Sequence, residues 1–209
     1  MSGDVHVRFR ERLGGKFPGA TRRNVYVGSK KSGERVMALL RKLYAGLKLQ
    51  INEAKSAVAS VFGRKFLGYS LWVGKDHEVK CKVAEKPLQN FKARIRQLTR
   101  RSGGRSISQV VEKLRPYLLG WKAYFGLAHT PRVWRELDEW LRHRLRAIQL
   151  KHWKRSAAIY RNLKALGATD AVAQRVAGNS RCWWRNCAKL LNRVLTIAYF
   201  DRLGVPRLS

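Results

Sequence analysis

The 209-residue chain is poor in acid. Thirteen Asp and Glu residues stand against 45 Lys and Arg, a formal net charge of +32. Such an excess repels itself unless a polyanion shares the surface, so nucleic acid is the first candidate partner and an anionic membrane the second. The few carboxylates form no pair among the strand-like segments, and Asp138 and Glu139, which adjoin, lie in a helical pattern among arginines. No acid/base pair or two-metal carboxylate site is therefore legible, and no catalytic residue is assigned. Cysteine is scarce too. Cys81, Cys182 and Cys187 are odd in number and lack CxxC or Cys/His pairing, which argues against a disulfide scaffold and a zinc site. A reducing cytoplasm is the expected compartment. The five histidines, His6, His77, His129, His143 and His152, pair with nothing at metal-ligand spacing. No uncharged apolar run of about 18 residues exists, which excludes a transmembrane helix. No apolar segment opens the chain, so no signal peptide is expected. Internal repeats and low-complexity tracts are absent, and Gly28-Ser-Lys-Lys lacks the P-loop spacing and reads as a turn.

Apolar residues make up 45% of the chain, enough for a folded core in one domain or two small ones. Residues 1–23 show no periodicity. Asn24 to Ser29 reads as a strand, as do 49–52, 65–72 and 78–83. Between the first two, Val36, Leu39, Leu40, Leu43 and Leu47 recur at helical spacing. Beyond Glu85 helices dominate. Leu88, Phe91, Ile95 and Leu98 form one stripe on a helix over 87–100. Ser106 with Gln109 fits a capping box, and Ile107, Val110, Val111, Leu114, Leu118, Trp121 and Phe125 follow to about 126. Pro116 is expected to kink that helix. Thr130-Pro131 opens a long helix over 131–152 carrying Val133, Leu137, Leu141, Leu145 and Ile148 inward. This register puts Arg142 and Arg146 on an exposed face. Further helices are expected at about 157–166, 169–177 and 184–202.

The charge is segregated. Seven Lys or Arg and no acid lie between Glu85 and Glu112, and eight and no acid between Glu139 and Asp170. A merely soluble surface would mix the signs. Single-sign stretches on successive helices suit a surface that follows a phosphate backbone. Trp121, Tyr124, Trp140, Trp153, Tyr160, Trp183 and Trp184 are interleaved with them. Stacking on unpaired bases is one use for such rings and core packing the other. Trp121 and Trp140 fall on or near apolar stripes and read as core, whereas Trp153, between His152 and Lys154, suits either role.

Several blocks, in order, resemble the C-terminal part of group II intron-encoded proteins, the reverse transcriptase/maturases. NVYVGSKKSGERVMALLRKLYAGLKLQINEAKS and RKFLGYSLW resemble the end of the palm. KPLQNFKARIRQLTRR, YLLGWKAYFGLA and ELDEWLRHRLRAIQLKHWKR resemble the thumb, also called the maturase or X domain. YRNLKALG and the stretch from Trp183 to Leu208 resemble the tail after it. The resemblance implies a protein that binds intron RNA, helps it fold for splicing and, when intact, copies it into DNA with Mg²⁺ held by palm carboxylates. Two of those acids sit in a Tyr-Ala-Asp-Asp loop. The matching place here reads Ala20-Thr21-Arg22-Arg23. Codons for Tyr-Ala-Asp-Asp read one base out of frame yield Ala, Thr and Arg, so 1–23 fits an out-of-frame segment of a mobile genetic element truncated before its fingers and most of its palm. No nuclease module follows the thumb-like blocks.

The expectation is thus an α+β chain, mainly α: 1–23 irregular, 24–84 a palm remnant of short antiparallel strands with one helix, 85–155 a helical-bundle maturase (thumb/X) domain and 156–209 its helical tail. The expected function is a maturase-type RNA-binding fragment that assists splicing without a polymerase site of its own and without a cofactor. The alternatives are RNA-directed DNA polymerase activity with the missing palm and fingers supplied by another chain, or a remnant that binds nucleic acid generically. The candidate RNA-binding residues are Lys65, Arg94, Arg96, Arg100, Arg101, Arg142, Arg144, Arg146, Lys151, Trp153, Lys154 and Arg155. Candidate partners are group II intron RNA, other structured RNA or DNA, with no membrane. The expected location is bacterial cytoplasm, with the nucleoid or with RNA.

Overall fold

A computed structural model describes residues 5–9, 23–53, 56–75 and 77–209. The chain is α+β, mainly α, and divides into two units, Met1–Lys80 and Cys81–Ser209.

In the N-terminal unit, strand β1 (Val5–Phe9) lies between β2 (Arg23–Val27) and β3 (Ala57–Ser60), antiparallel to both. The irregular segment expected over 1–23 thus contains a strand. Val5-His-Val-Arg-Phe9 alternates apolar and polar residues, a period-two signal too short to stand out beside its neighbours. The expected strand at 49–52 reduces to a bridge at Ile51, and β3 takes its place in the sheet. Helix α1 (Lys30–Gly46) starts at Ser29, whose side chain accepts from the Ser32 amide at 3.1 Å. Its buried residues are Gly33 and Met37, the latter packed with Val27, Val36, Leu40, Ile51 and Val58, whereas Leu39, Leu43 and Leu47 of the expected stripe are exposed. The segment read as one strand over 65–72 is a hairpin of β4 (Lys65–Phe66) and β5 (Tyr69–Val73). Leu67 and Gly68 both take positive φ, +48° and +80°, which turns the chain in two residues. Strand β6 (Val79–Val83) follows β5 in the second sheet, in the order β4-β5-β6.

The second unit is built on α2 (Glu85–Leu98), α3 (Ile107–Phe125) and α4 (Pro131–Trp153). The expected stripes are the core: Phe91 and Ile95 of α2, Leu114 and Leu118 of α3, and Leu141, Leu145 and Ile148 of α4 are at most 2% exposed. Trp121 joins the helices, its ring centroid 4.2 Å from Phe91, 4.8 Å from Phe125 and 5.1 Å from Trp134. The capping box forms at both ends, Gln109 N to Ser106 Oγ at 3.2 Å and Ser106 N to Gln109 Oε1 at 3.0 Å. Helix α3 runs on through Pro116. Helices α5 (Ser156–Ala165) and α6 (Asp170–Gly178) pack as a pair. The single helix expected over 184–202 is broken instead into α7 (Trp183–Lys189), 3₁₀ turns at Ser180–Cys182 and Leu191–Arg193, and α8 (Ile197–Arg202). Cys187, Leu191, Leu195 and Phe200 are fully buried. Their spacing of four, four and five fits no single helical face, so the backbone breaks to bring all four inward. No helix among the described residues is long and apolar enough to cross a membrane.

Candidate nucleic-acid interface

The twelve candidate residues have three fates. Arg142 and Arg146, expected on an exposed face of α4, are buried at 4% and 8% exposure. The apolar stripe of α4 was legible, but the chain from Leu195 onward covers the face beside it. Arg142 contacts two carboxylates, Asp138 at 3.6 Å and Asp201 at 3.9 Å. Arg146 donates from Nε to the Leu195 carbonyl at 3.0 Å, and its guanidinium carbon lies 5.9 Å from the Phe200 ring centroid. Burial lowers the pKa of Arg146 from its ordinary value. These guanidinium groups hold the tail, and the pocket that they do line also carries a carboxylate, Glu139.

Asp138 completes that lock. It is 3% exposed and accepts from the amides of Leu208 at 3.1 Å and Ser209 at 3.0 Å, and from the Ser209 hydroxyl at 2.9 Å. Arg207 closes onto Asp201, and Lys122 Nζ donates to the Arg207 carbonyl at 2.9 Å. The Arg207 hydrogen bond holds the Asp201 carboxyl below the usual carboxylate range. In the sequence Asp138 reads only as one of two adjoining acids in a helical pattern among arginines. Only the fold, which returns the chain end to α4, reveals its use.

Arg144 takes an intermediate role. It is half-buried, donates from Nε to Thr99 Oγ1 at 2.6 Å and from Nη2 to the Thr99 carbonyl at 3.2 Å, and so satisfies a carbonyl at the end of α2. Burial lowers its pKa. Arg96 and Arg144 lie 5.6 Å and 5.5 Å from the Trp140 ring centroid, so this half-buried ring packs between cations. Arg94 is exposed and donates to Gln97 at 3.2 Å.

The remaining candidates keep at least part of their surface exposed. Arg100, Lys151, Lys154 and Arg155 are exposed, Arg101 and Trp153 are half-buried, and Lys65 is exposed in the N-terminal unit. Three of them, Arg101, Lys151 and Lys154, line one pocket of about 400 Å³ together with Arg181, Trp183, Leu150, Ile159 and Ser180. The guanidinium carbon of Arg101 sits 4.5 Å from the Trp183 ring centroid. Its Nε is buried and makes no hydrogen bond among the described residues. Lys154, which ends α4, has φ +55° and ψ −70°, a strained backbone for a residue with a Cβ. No carboxylate lines this pocket, so its four cations present uncompensated charge. Arg181 had no signal in the sequence beyond its charge, because the 3₁₀ turn that brings it here breaks the helical pattern. A second pocket, of about 530 Å³, lies beside Glu139, Arg142, His143 and Arg146.

Ala20-Thr21-Arg22-Arg23, the place expected from the resemblance to hold metal-binding acids, carries no carboxylate, and Arg23 opens β2. Residues 20–22 lie outside the described residues. These side chains offer Mg²⁺ no carboxylate ligand, so that donor set does not fit the ion.

A comparison with curated proteins gives no match. Residues 88–167 match the family model described as the group II intron, maturase-specific domain. The match runs from α2 through α5 and takes in Arg94, Arg101, Arg144, Lys151 and Lys154. Residues 88–167 are thus similar to the group II intron maturase-specific domain, and this likeness supports the C-terminal part of a group II intron maturase.

Proposed function

We propose that the helical unit is an RNA-binding module that grips structured intron RNA through its phosphates and assists the RNA in folding for splicing. The observation that carries this reading is the set of open cations around the end of α4, where Arg101, Lys151, Lys154 and Arg181 meet with no carboxylate among them. The phosphate backbone dominates affinity in such an interface, and the shape of the RNA selects the site. Arg100 and Arg155, both exposed, extend the same surface along the chain. Group II intron RNA is the partner this reading assigns, and the chain itself needs no cofactor to bind it. The N-terminal unit is taken as the remnant of a reverse transcriptase palm, so polymerase chemistry would have to come from another chain.

Filter binding of the whole protein to a group II intron RNA tests the reading. With six to ten phosphates neutralised, affinity should fall by roughly 10³ to 10⁵ between about 50 and 200 mM salt. A flat salt response would remove the charge as the determinant of binding.

A further inference from the structure

Resting on that RNA-binding reading, we propose that the pocket among Arg101, Lys151, Lys154, Arg181 and Trp183 accepts a single unpaired nucleotide of the bound RNA. A phosphate alone would leave most of a 400 Å³ pocket empty, and this volume lies within the range of small-molecule sites. The lining has two characters. The four cations suit a phosphate, and Leu150, Ile159 and Trp183 supply an apolar wall suited to the face of a base. With no carboxylate in the lining, the pocket repels a metal ion or a cationic ligand.

Arg101 is prepared for an anion. The Trp183 ring, 4.5 Å from its guanidinium carbon, fixes the plane of the group, and its buried Nε has no partner among the described residues. A guanidinium held against a ring keeps its planar fork of donors pre-organised for a phosphate. The strained backbone of Lys154 lies at the same place, as strain often does at a ligand site. Bases of an A-form duplex are paired and stacked, so the nucleotide entering the pocket must come from a bulge, loop or end.

The test titrates the whole protein with a hairpin RNA carrying a one-nucleotide bulge and with the same hairpin lacking it, at one salt concentration. The wild type should bind the bulged hairpin about tenfold more tightly, the order that stacking one base contributes. Arg181→Ala and Lys151→Ala, both at exposed positions, should erase that preference with no change in melting temperature. Equal affinity of the wild type for the two hairpins would overturn the pocket assignment and leave the phosphate-binding reading standing. Binding to neither would overturn both. A preference that survives both substitutions would also overturn the assignment. Free adenosine monophosphate is the control for the source of the nucleotide. It should bind far more weakly than the bulged hairpin, and equal affinity would overturn the RNA source in favour of a free nucleotide.

Discussion

Helix α4 carries two groups of cations that the sequence does not distinguish. Arg142 and Arg146 lie toward its middle, and Lys151 and Lys154 at its end. The first pair is buried against the tail, with Asp138, Asp201 and the Leu195 carbonyl as partners. The second pair opens into a pocket without a carboxylate. The difference lies in the neighbours that the fold brings in. Where Asp138 and Asp201 arrive, the arginines become struts, and where only Arg101, Arg181 and Trp183 arrive, the charge is left for a ligand. Asp138 and Asp201 mark Arg142 as structural, whereas Arg146 and Arg144 are held by the Leu195 carbonyl and by Thr99, partners that only the fold reveals.

The comparison breaks most sharply at Asp138. Asp138→Ala leaves Arg142 short of a buried partner and strips the Leu208 and Ser209 amides of their acceptor. Removing one partner of a buried pair costs about 3–5 kcal/mol. A urea melt should show that loss, and a change below about 0.5 kcal/mol, the level of an ordinary surface substitution, would make the lock incidental.

Lys154→Gly should act in the opposite sense on the other group. Glycine relieves the positive φ, so the protein should gain about 1 kcal/mol, while RNA affinity falls with the lost charge. Thermal melts and RNA titrations on this one variant separate the two effects. A destabilised variant would show that Lys154 packs rather than presents its ammonium group.

The smallest effect is a pH dependence at His143. Burial lowers the pKa of this imidazole from its ordinary value near 6.5, with Arg144 and Arg146 adding to the shift and a Trp184 backbone hydrogen bond opposing it. The ring lies 3.8 Å from the Trp184 ring. At pH above 6.5 the group is neutral folded and unfolded. As pH falls below 6.5 the unfolded chain takes up the proton first, and stability drops until the folded-state pKa is passed. His143→Gln should flatten that part of the pH–stability curve. The same slope in the variant would assign it to another group.

Much of the helical unit was legible because its helices are bounded by local chemistry. Ser106 and Gln109 announce α3, and Thr130-Pro131 announces α4, although Thr130 makes no side-chain cap bond. The stripes of α2 and α3 follow a single face, so periodicity finds them. The face bearing Arg142 and Arg146 was not legible, since what covers it arrives from Leu195 and Phe200, about fifty residues away. The break of the tail into short helices was missed for a related reason: helical propensity runs on through 184–202, and the burial of Leu191, Leu195 and Phe200 overrides it. In the N-terminal unit the two-residue turn at Leu67-Gly68 was hidden inside a run that reads as one strand. Within the candidate site, Arg101, Lys151 and Lys154 were found by charge density and Trp183 was among the interleaved aromatic residues, but nothing local pointed to Arg181 or placed the Trp183 ring against Arg101.

The salt dependence of intron RNA binding, compared between the wild type and Lys151→Gln/Lys154→Gln/Arg181→Gln, tests the central claim most directly. That claim is that the open cations, not the buried ones, meet the RNA. Each lost phosphate contact should reduce the slope of log affinity against log salt by about 0.7 to 0.9, so three lost contacts reduce it by roughly 2 to 3. The urea midpoint should stay where it was. A slope equal to that of the wild type would contradict the account and move the RNA to another face of the protein.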